Sequence, residues 1–138
     1  MRTEKKQQLA QFRHWRVRSK VCGTRERPRM SVCFTGRNIH VQFIDDNAGV
    51  TLAAVSTTSK TVPDRDKLAA NVASAKVVGK LAAETALAKG IKTVVFDRGG
   101  ARYHRSESKG KGKDSKPVLV FGKLATLADA ARAAGLKF

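Results

Sequence analysis

Carboxylates are the scarce groups in this chain: 11 Asp and Glu stand against 28 Lys and Arg over 138 residues, for a formal charge of +17. An excess of that size leaves nucleic acid or an anionic membrane as the surfaces that can offset it. Long apolar runs are missing too. No stretch approaches the ~20 apolar residues needed to cross a bilayer. No signal-type apolar segment follows the charged opening Met1-Arg2-Thr3-Glu4-Lys5-Lys6, so no membrane partner and a cytosolic location are expected. Cysteine is limited to Cys22 and Cys33, whose spacing fits neither a zinc ribbon nor a redox Cys-x-x-Cys, and two plain thiols in a reducing compartment are expected. Zinc held by Cys22, Cys33, His14 and His40 would lack the close ligand pairs that structural sites use. No Gly-x-x-x-x-Gly-Lys-Ser/Thr occurs, and Gly99-Gly100 does not have the spacing of a dinucleotide fingerprint, so no nucleotide cofactor and no small-molecule substrate are expected.

What is present is a body with a basic leader. Hydrophobic residues make up 41% of the chain, too many for a wholly disordered basic protein and enough for one domain with a real core. From Arg13 to Arg29 six arginines and one lysine accompany a single glutamate. Arginine forks onto phosphate oxygens and stacks on bases, whereas lysine acts as a hydrated point charge, so the tract reads as a nucleic-acid clamp. Residues 1–29 form this basic arm and residues 30–138 the α/β body.

In the arm, Glu4 to Lys20 can form a helix, with Leu9, Phe12 and Trp15 on one narrow apolar side and Arg13, Arg16 and Lys20 on the other. It is either a frayed tail when free or a helix, and ordering on RNA reconciles the two. Arg27-Pro28-Arg29 then enforces an extended entry.

Alternation predicts two strands of a hairpin, Met30 to Phe34 and Ile39 to Asp45, joined through Thr35-Gly36-Arg37-Asn38. A turn at Asp45 to Gly49 leads to a third strand at Val50 to Ser56, completing an antiparallel meander. Val72, Ala75, Val78, Gly79, Ala82 and Ala86 recur at helical spacing, with Asn71 as N-cap, Gly90 as terminator, and a separate short helical turn possible within Asp64 to Ala70. The run Thr93-Val94-Val95-Phe96 suits an interior strand reached by a crossover. Leu124, Leu127, Ala128 and Ala131 mark a last helix stopped by Gly135, after which Leu136 and Phe138 can tuck onto the core. The fold expected is a single-domain α/β sandwich: a three-strand meander plus a crossover strand, packed by two helices, with a basic N-terminal helical arm.

A polar, glycine-bearing insertion at about 105–121 interrupts this plan. Val118-Leu119-Val120-Phe121 can pair with residues near Ala101 to His104 to make the stalk of a basic ribbon, or the segment is a loop.

Before it, Asp97-Arg98-Gly99-Gly100-Ala101-Arg102-Tyr103-His104-Arg105 brings cations, an aromatic ring and flexible backbone together. As an enzyme site Asp97 and His104 would be acid and base, yet no nucleophile with a positioned partner is apparent. As an RNA contact, Gly99 and Gly100 admit phosphates close to the backbone, Tyr103 offers a stacking face, and Arg98, Arg102 and Arg105 neutralise charge. As plain structure, the glycines make a turn that Asp97 caps.

Several strings together resemble the bacterial large-subunit ribosomal protein eighteen family: Arg27-Pro28-Arg29-Met30-Ser31-Val32, Ile39-His40-Val41-Gln42-Phe43-Ile44-Asp45, Val78-Gly79-Lys80, Gly90 through Gly100, and Leu127-Ala128-Asp129-Ala130-Ala131-Arg132. The resemblance implies no catalysis. It implies binding of 5S ribosomal RNA and its attachment to 23S ribosomal RNA in the central protuberance, beside ribosomal protein five. It further implies RNA-facing roles for Arg13, Arg16, Arg18, Lys20, Arg29, Arg37, His40, Gln42, Arg98, Gly99, Gly100, Tyr103 and His104. The charge reading adds Arg2, Lys5, Lys6, His14, Arg27 and Arg102. Phe34, His40 and the 105–121 insertion depart from the family pattern, and the insertion is expected to be a lineage-specific ribbon reaching a further RNA or protein neighbour. The alternative function is non-specific compaction of nucleic acid.

Overall fold

A computed structural model describes residues 2–60, 62, 64–108 and 118–138. The alternating segments form β1 (Arg29–Phe34), β2 (Ile39–Asp45) and β3 (Val50–Ser56), an antiparallel meander in which Met30 pairs with Phe43 and Val32 with Val41. Period-two alternation sends Met30, Val32, Ile39, Val41, Phe43, Ala53 and Val55 to one face, where they are buried. A register shift at Phe43/Ile44 puts an extra residue into β3 and bends its start.

The buried face is covered by α1's two successors, α2 (Val72–Ala88) and α3 (Lys123–Ala133); α1 itself is the arm helix, Thr3–Arg18. Asn71 caps α2 as expected, its side chain accepting from Ser74 N–H at 2.7 Å. Gly79 is where α2 and α3 cross. A Cβ there would lie 2.5 Å from the Leu127 carbonyl oxygen, so the close approach requires glycine. Ala75, Ala82, Ala83 and Ala86 on α2 and Leu124, Leu127, Ala128 and Ala131 on α3 fill the core. The short turn before α2 is a 3₁₀ helix at Arg65–Lys67.

The crossover expected after α2 returns the chain as β4 (Val95–Asp97), parallel to β1 with Arg29 opposite Val95 and Ser31 opposite Asp97. One expectation is corrected here: the sheet order is β3-β2-β1-β4, so β4 is an edge strand and not an interior one. Its apolar run is explained by the chain end. Thr93 bridges to Lys137, Leu136 is buried, and Phe138 stacks on Phe96 with ring centroids 5.1 Å apart, shielding the start of this edge.

The insertion forms a two-stranded ribbon, β5 (Arg105–Ser108) with β6 (Val118–Phe121). The expected partner of β6 was the 101–104 segment; the ladder instead begins at Arg105 opposite Phe121. Gly122 N–H donates to the His104 carbonyl at 2.8 Å and Arg105 lies over the Phe121 ring, which sets the root one step later. Residues 109–117 of the insertion lie outside the described residues. Among the described residues no helix is long and apolar enough to cross a membrane.

Candidate RNA interface and family

Side chains that alternate away from the core give the sheet a second face, which neither α2 nor α3 covers. Register puts Arg29, Ser31 and Cys33 of β1 on it, beside Gln42 and His40 of β2 and Asp97 of β4. Gln42 is exposed; His40 is half-buried, with Nδ1 2.9 Å from Ser56 Oγ.

Two carboxylates organise this face. Asp46, in the turn after β2, accepts from Arg29 Nε and Nη2, both at 2.9 Å, and from Arg18 Nη1 and Nη2 at 3.2 and 3.0 Å. Gly23 N–H adds a fifth bond at 2.7 Å. Arg29 Nη1 reaches the other way to Asp97 Oδ2 at 2.9 Å, and Asp97 Oδ1 accepts from Gly99 N–H at 2.8 Å. The hydrogen bonds from Arg29, then Arg18 and Gly23, hold the Asp46 carboxyl well below the usual carboxylate range, against the opposing effect of burial. Hydrogen bonding to Asp46 likewise raises Arg29 further above its ordinary value.

The glycine turn completes the arrangement. Gly99 and Gly100 both adopt positive φ, +58° and +80°, and a Cβ on Gly100 would sit 3.5 Å from Arg13 Cβ. Arm and loop are therefore neighbours: Arg13 and His14 lie against Gly100, while Arg18 at the end of α1 meets Asp46. The arm helix itself buries no residue. Phe12 and Trp15 remain 52% and 57% exposed, their rings 5.7 Å apart and tilted by 59°. The apolar strip expected from Leu9, Phe12 and Trp15 exists but does not pack on the body.

The expected site residues thus separate by environment. Arg2, Lys5, Lys6, Arg13, His14, Arg16, Lys20, Arg98 and Arg102 are exposed. Arg18 and Arg29 are held by carboxylates. Arg27 Nε donates to the Val94 carbonyl at 3.3 Å. Arg37 sits in the β1–β2 turn, at the other end of β1 from Arg29. Tyr103, expected to offer a stacking face, is half-buried against the core with its hydroxyl accepting from Arg132 at 3.2 Å. His104 is exposed, its Nε2 3.1 Å from Ser106 Oγ. The turn-capping reading of Asp97 holds, since Gly99 N–H two residues on donates to it. Sequence reasoning missed Asp46 and the pairing of Asp97 with Arg29, because those cationic partners are 17 to 68 residues away.

The arrangement has no chemistry of an acid–base pair to offer. Asp97 is 1% exposed with both oxygens engaged by Arg29 and Gly99. Among the described residues no group of three or more His, Cys, Asp or Glu could hold a metal ion, and Cys22 and Cys33 are free, exposed thiols.

Comparison with known proteins finds relatives along most of the chain. The family model for ribosomal L18 of archaea, bacteria, mitochondria and chloroplasts matches residues 4–107. The large ribosomal subunit protein uL18 of Dictyoglomus thermophilum is 44% identical over 133 residues, covering 96% of this chain and 95% of its own. That of Alkaliphilus oremlandii is 46% identical over 126 residues (91% and 89%), and that of Lactobacillus delbrueckii subsp. bulgaricus 48% over 133 (96% and 95%). Identity at this level over nearly the full length, on an α/β body of this topology, means that the chain belongs to the ribosomal L18 family.

Proposed function

We propose that this protein is a structural constituent of the large ribosomal subunit that binds 5S ribosomal RNA and helps attach it to 23S ribosomal RNA in the central protuberance, beside ribosomal protein five. The ribosomal role follows from the family and carries no catalysis; it implies a ribosome-bound, cytoplasmic working location. The observation that carries the RNA reading is the close approach of Arg13 to Gly100. It brings the exposed cations of the arm beside the glycine loop and the open sheet face.

Recognition then combines phosphate neutralisation by Arg13, Arg16, Lys20, Arg98 and Arg102 with close approach of RNA backbone at Gly99 and Gly100. The exposed rings of Phe12 and Trp15 supply stacking surfaces on the same arm. The ribbon at 105–121 extends from the body toward a further RNA or protein neighbour.

Titration of labelled 5S ribosomal RNA at rising salt tests this. With roughly 6 to 10 phosphates contacted, affinity falls by about 10³ or more between about 50 and 200 mM salt, taking duplex DNA as the scale. Competition with duplex DNA separates the alternative. Equal binding of both would identify a non-specific compacting protein, and salt-indifferent binding would remove the electrostatic mechanism.

A further inference from the structure

A chain of ion pairs on the open face starts at the arm helix and leads to the glycine loop, which returns beside the same helix. Arg18 binds Asp46, Asp46 binds Arg29, Arg29 binds Asp97, Asp97 binds Gly99 N–H, and the next residue, Gly100, lies beside Arg13, five residues before Arg18 on the same helix. Apart from these contacts the arm has little to hold it. No residue of α1 is buried, and Arg2, its N-cap, makes no side-chain capping bond.

We infer that Asp46 is a positioning residue which, through Arg18 and Arg29, locks the arm helix and the glycine loop in register before RNA arrives, so that Arg18 and Arg29 orient the RNA surface rather than neutralise phosphate. Three features of the geometry support this. Arg29 and Asp46 side chains are 9% and 13% exposed, so their pairing is little screened by solvent. Both arginines address Asp46 with two nitrogens each, an arrangement that fixes orientation as well as distance. Asp46 N–H also donates to the Gly23 carbonyl at 3.0 Å while Asp46 Oδ2 accepts from Gly23 N–H, tying the linker that follows α1 to the sheet. A carboxylate held this way in a chain of +17 opposes RNA by its charge. Its contribution is to remove the ordering entropy that a loose arm would lose on binding.

The consequence for affinity rests on the RNA-binding reading above; the arm geometry does not, and the experiment measures them separately. The chain has a single tryptophan, Trp15, three residues from Arg18, so its fluorescence anisotropy reports arm mobility in the RNA-free protein. Arg18→Lys keeps the charge and loses the bidentate fork; Asp46→Asn raises the net charge by one. In both variants we expect Trp15 anisotropy to fall in the free protein and 5S ribosomal RNA to bind at least about ten-fold more weakly. Arg18→Ala should weaken binding with the salt slope unchanged, whereas loss of a phosphate ligand makes that slope shallower by about one. The inference is overturned if Arg18→Lys has wild-type anisotropy or wild-type affinity, or if Arg18→Ala flattens the slope. Should Asp46→Asn fail to fold, Arg18→Lys decides alone, because it leaves the Arg29 pairs in place. Should the wild type not bind 5S ribosomal RNA, the functional reading fails while the anisotropy result still judges the latch.

Discussion

Arg29 stands between two carboxylates, with Asp46 on its Nε and Nη2 and Asp97 2.9 Å from its Nη1. Asp97 is 1% exposed and has no other cation within reach among the described residues. Replacing Arg29 by Ala strands that charge, and also leaves Asp46 with Arg18 and Gly23 N–H. The expected loss is about 3–5 kcal/mol of folding stability, read as a lowered urea midpoint. Arg29→Met should do nearly as badly, since filling the volume does not restore the lost cation. A midpoint within experimental error of the wild type in both variants would show that the buried pair adds nothing.

The Asp46 carboxyl is depressed in the folded state, so its contribution is complete above the ordinary carboxylate range and lost as pH falls through the folded value. Between about pH 5 and 9 the Asp46 contacts should therefore be unchanged, and Trp15 anisotropy should stay level. Acid below about pH 4 should loosen the arm progressively. A midpoint near neutrality would point to a histidine instead.

Trp15 is more than half exposed, with its ring beside that of Phe12. Trp15→Ala should leave the thermal midpoint of the body almost unchanged while weakening 5S ribosomal RNA binding by about 1–3 kcal/mol, the worth of one base stacked on an aromatic face. Because no charge is removed, the salt dependence should be preserved. Unaltered affinity would mean that no base stacks there.

Gly79→Ala drives a methyl group against the Leu127 carbonyl oxygen. The helices α2 and α3 must separate, and a loss of about 1–3 kcal/mol is expected in thermal melts. RNA affinity at a temperature well below the melt should be unaffected, because this crossing lies across the sheet from the open face.

Removing Ser106 to Lys116 should spare 5S ribosomal RNA binding, since the arm and the glycine loop meet each other without the ribbon. Loss of binding in a folded deletion variant would relocate the interface to the ribbon.

The elements of the body could be read because each is specified locally. Met30, Val32 and Phe34 alternate, Asn71 precedes a run of small residues at helical spacing, and Gly90 and Gly135 end their helices with φ of +79° and +109°. What could not be read depends on distance along the chain. The edge position of β4 follows from parallel pairing with β1 some 66 residues earlier (Arg29 with Val95), and an apolar run looks the same at an edge shielded by Phe138 as in a sheet interior. Arg105-Ser106-Glu107-Ser108 carries no strand pattern at all; only its partner Val118–Phe121 does. The same limit separates the two kinds of arginine. Arg16 and Arg18 are indistinguishable in a basic tract, yet one is exposed and the other grips a carboxylate 28 residues away.

The hydrogen bond from Gly122 N–H to the His104 carbonyl closes the base of the ribbon just before α3 begins. With that base shut, the body keeps its shape whatever length of chain is spliced beyond Ser108 and Val118. A purification handle or a fluorescent label grafted at this point would therefore leave the packed layers as they are.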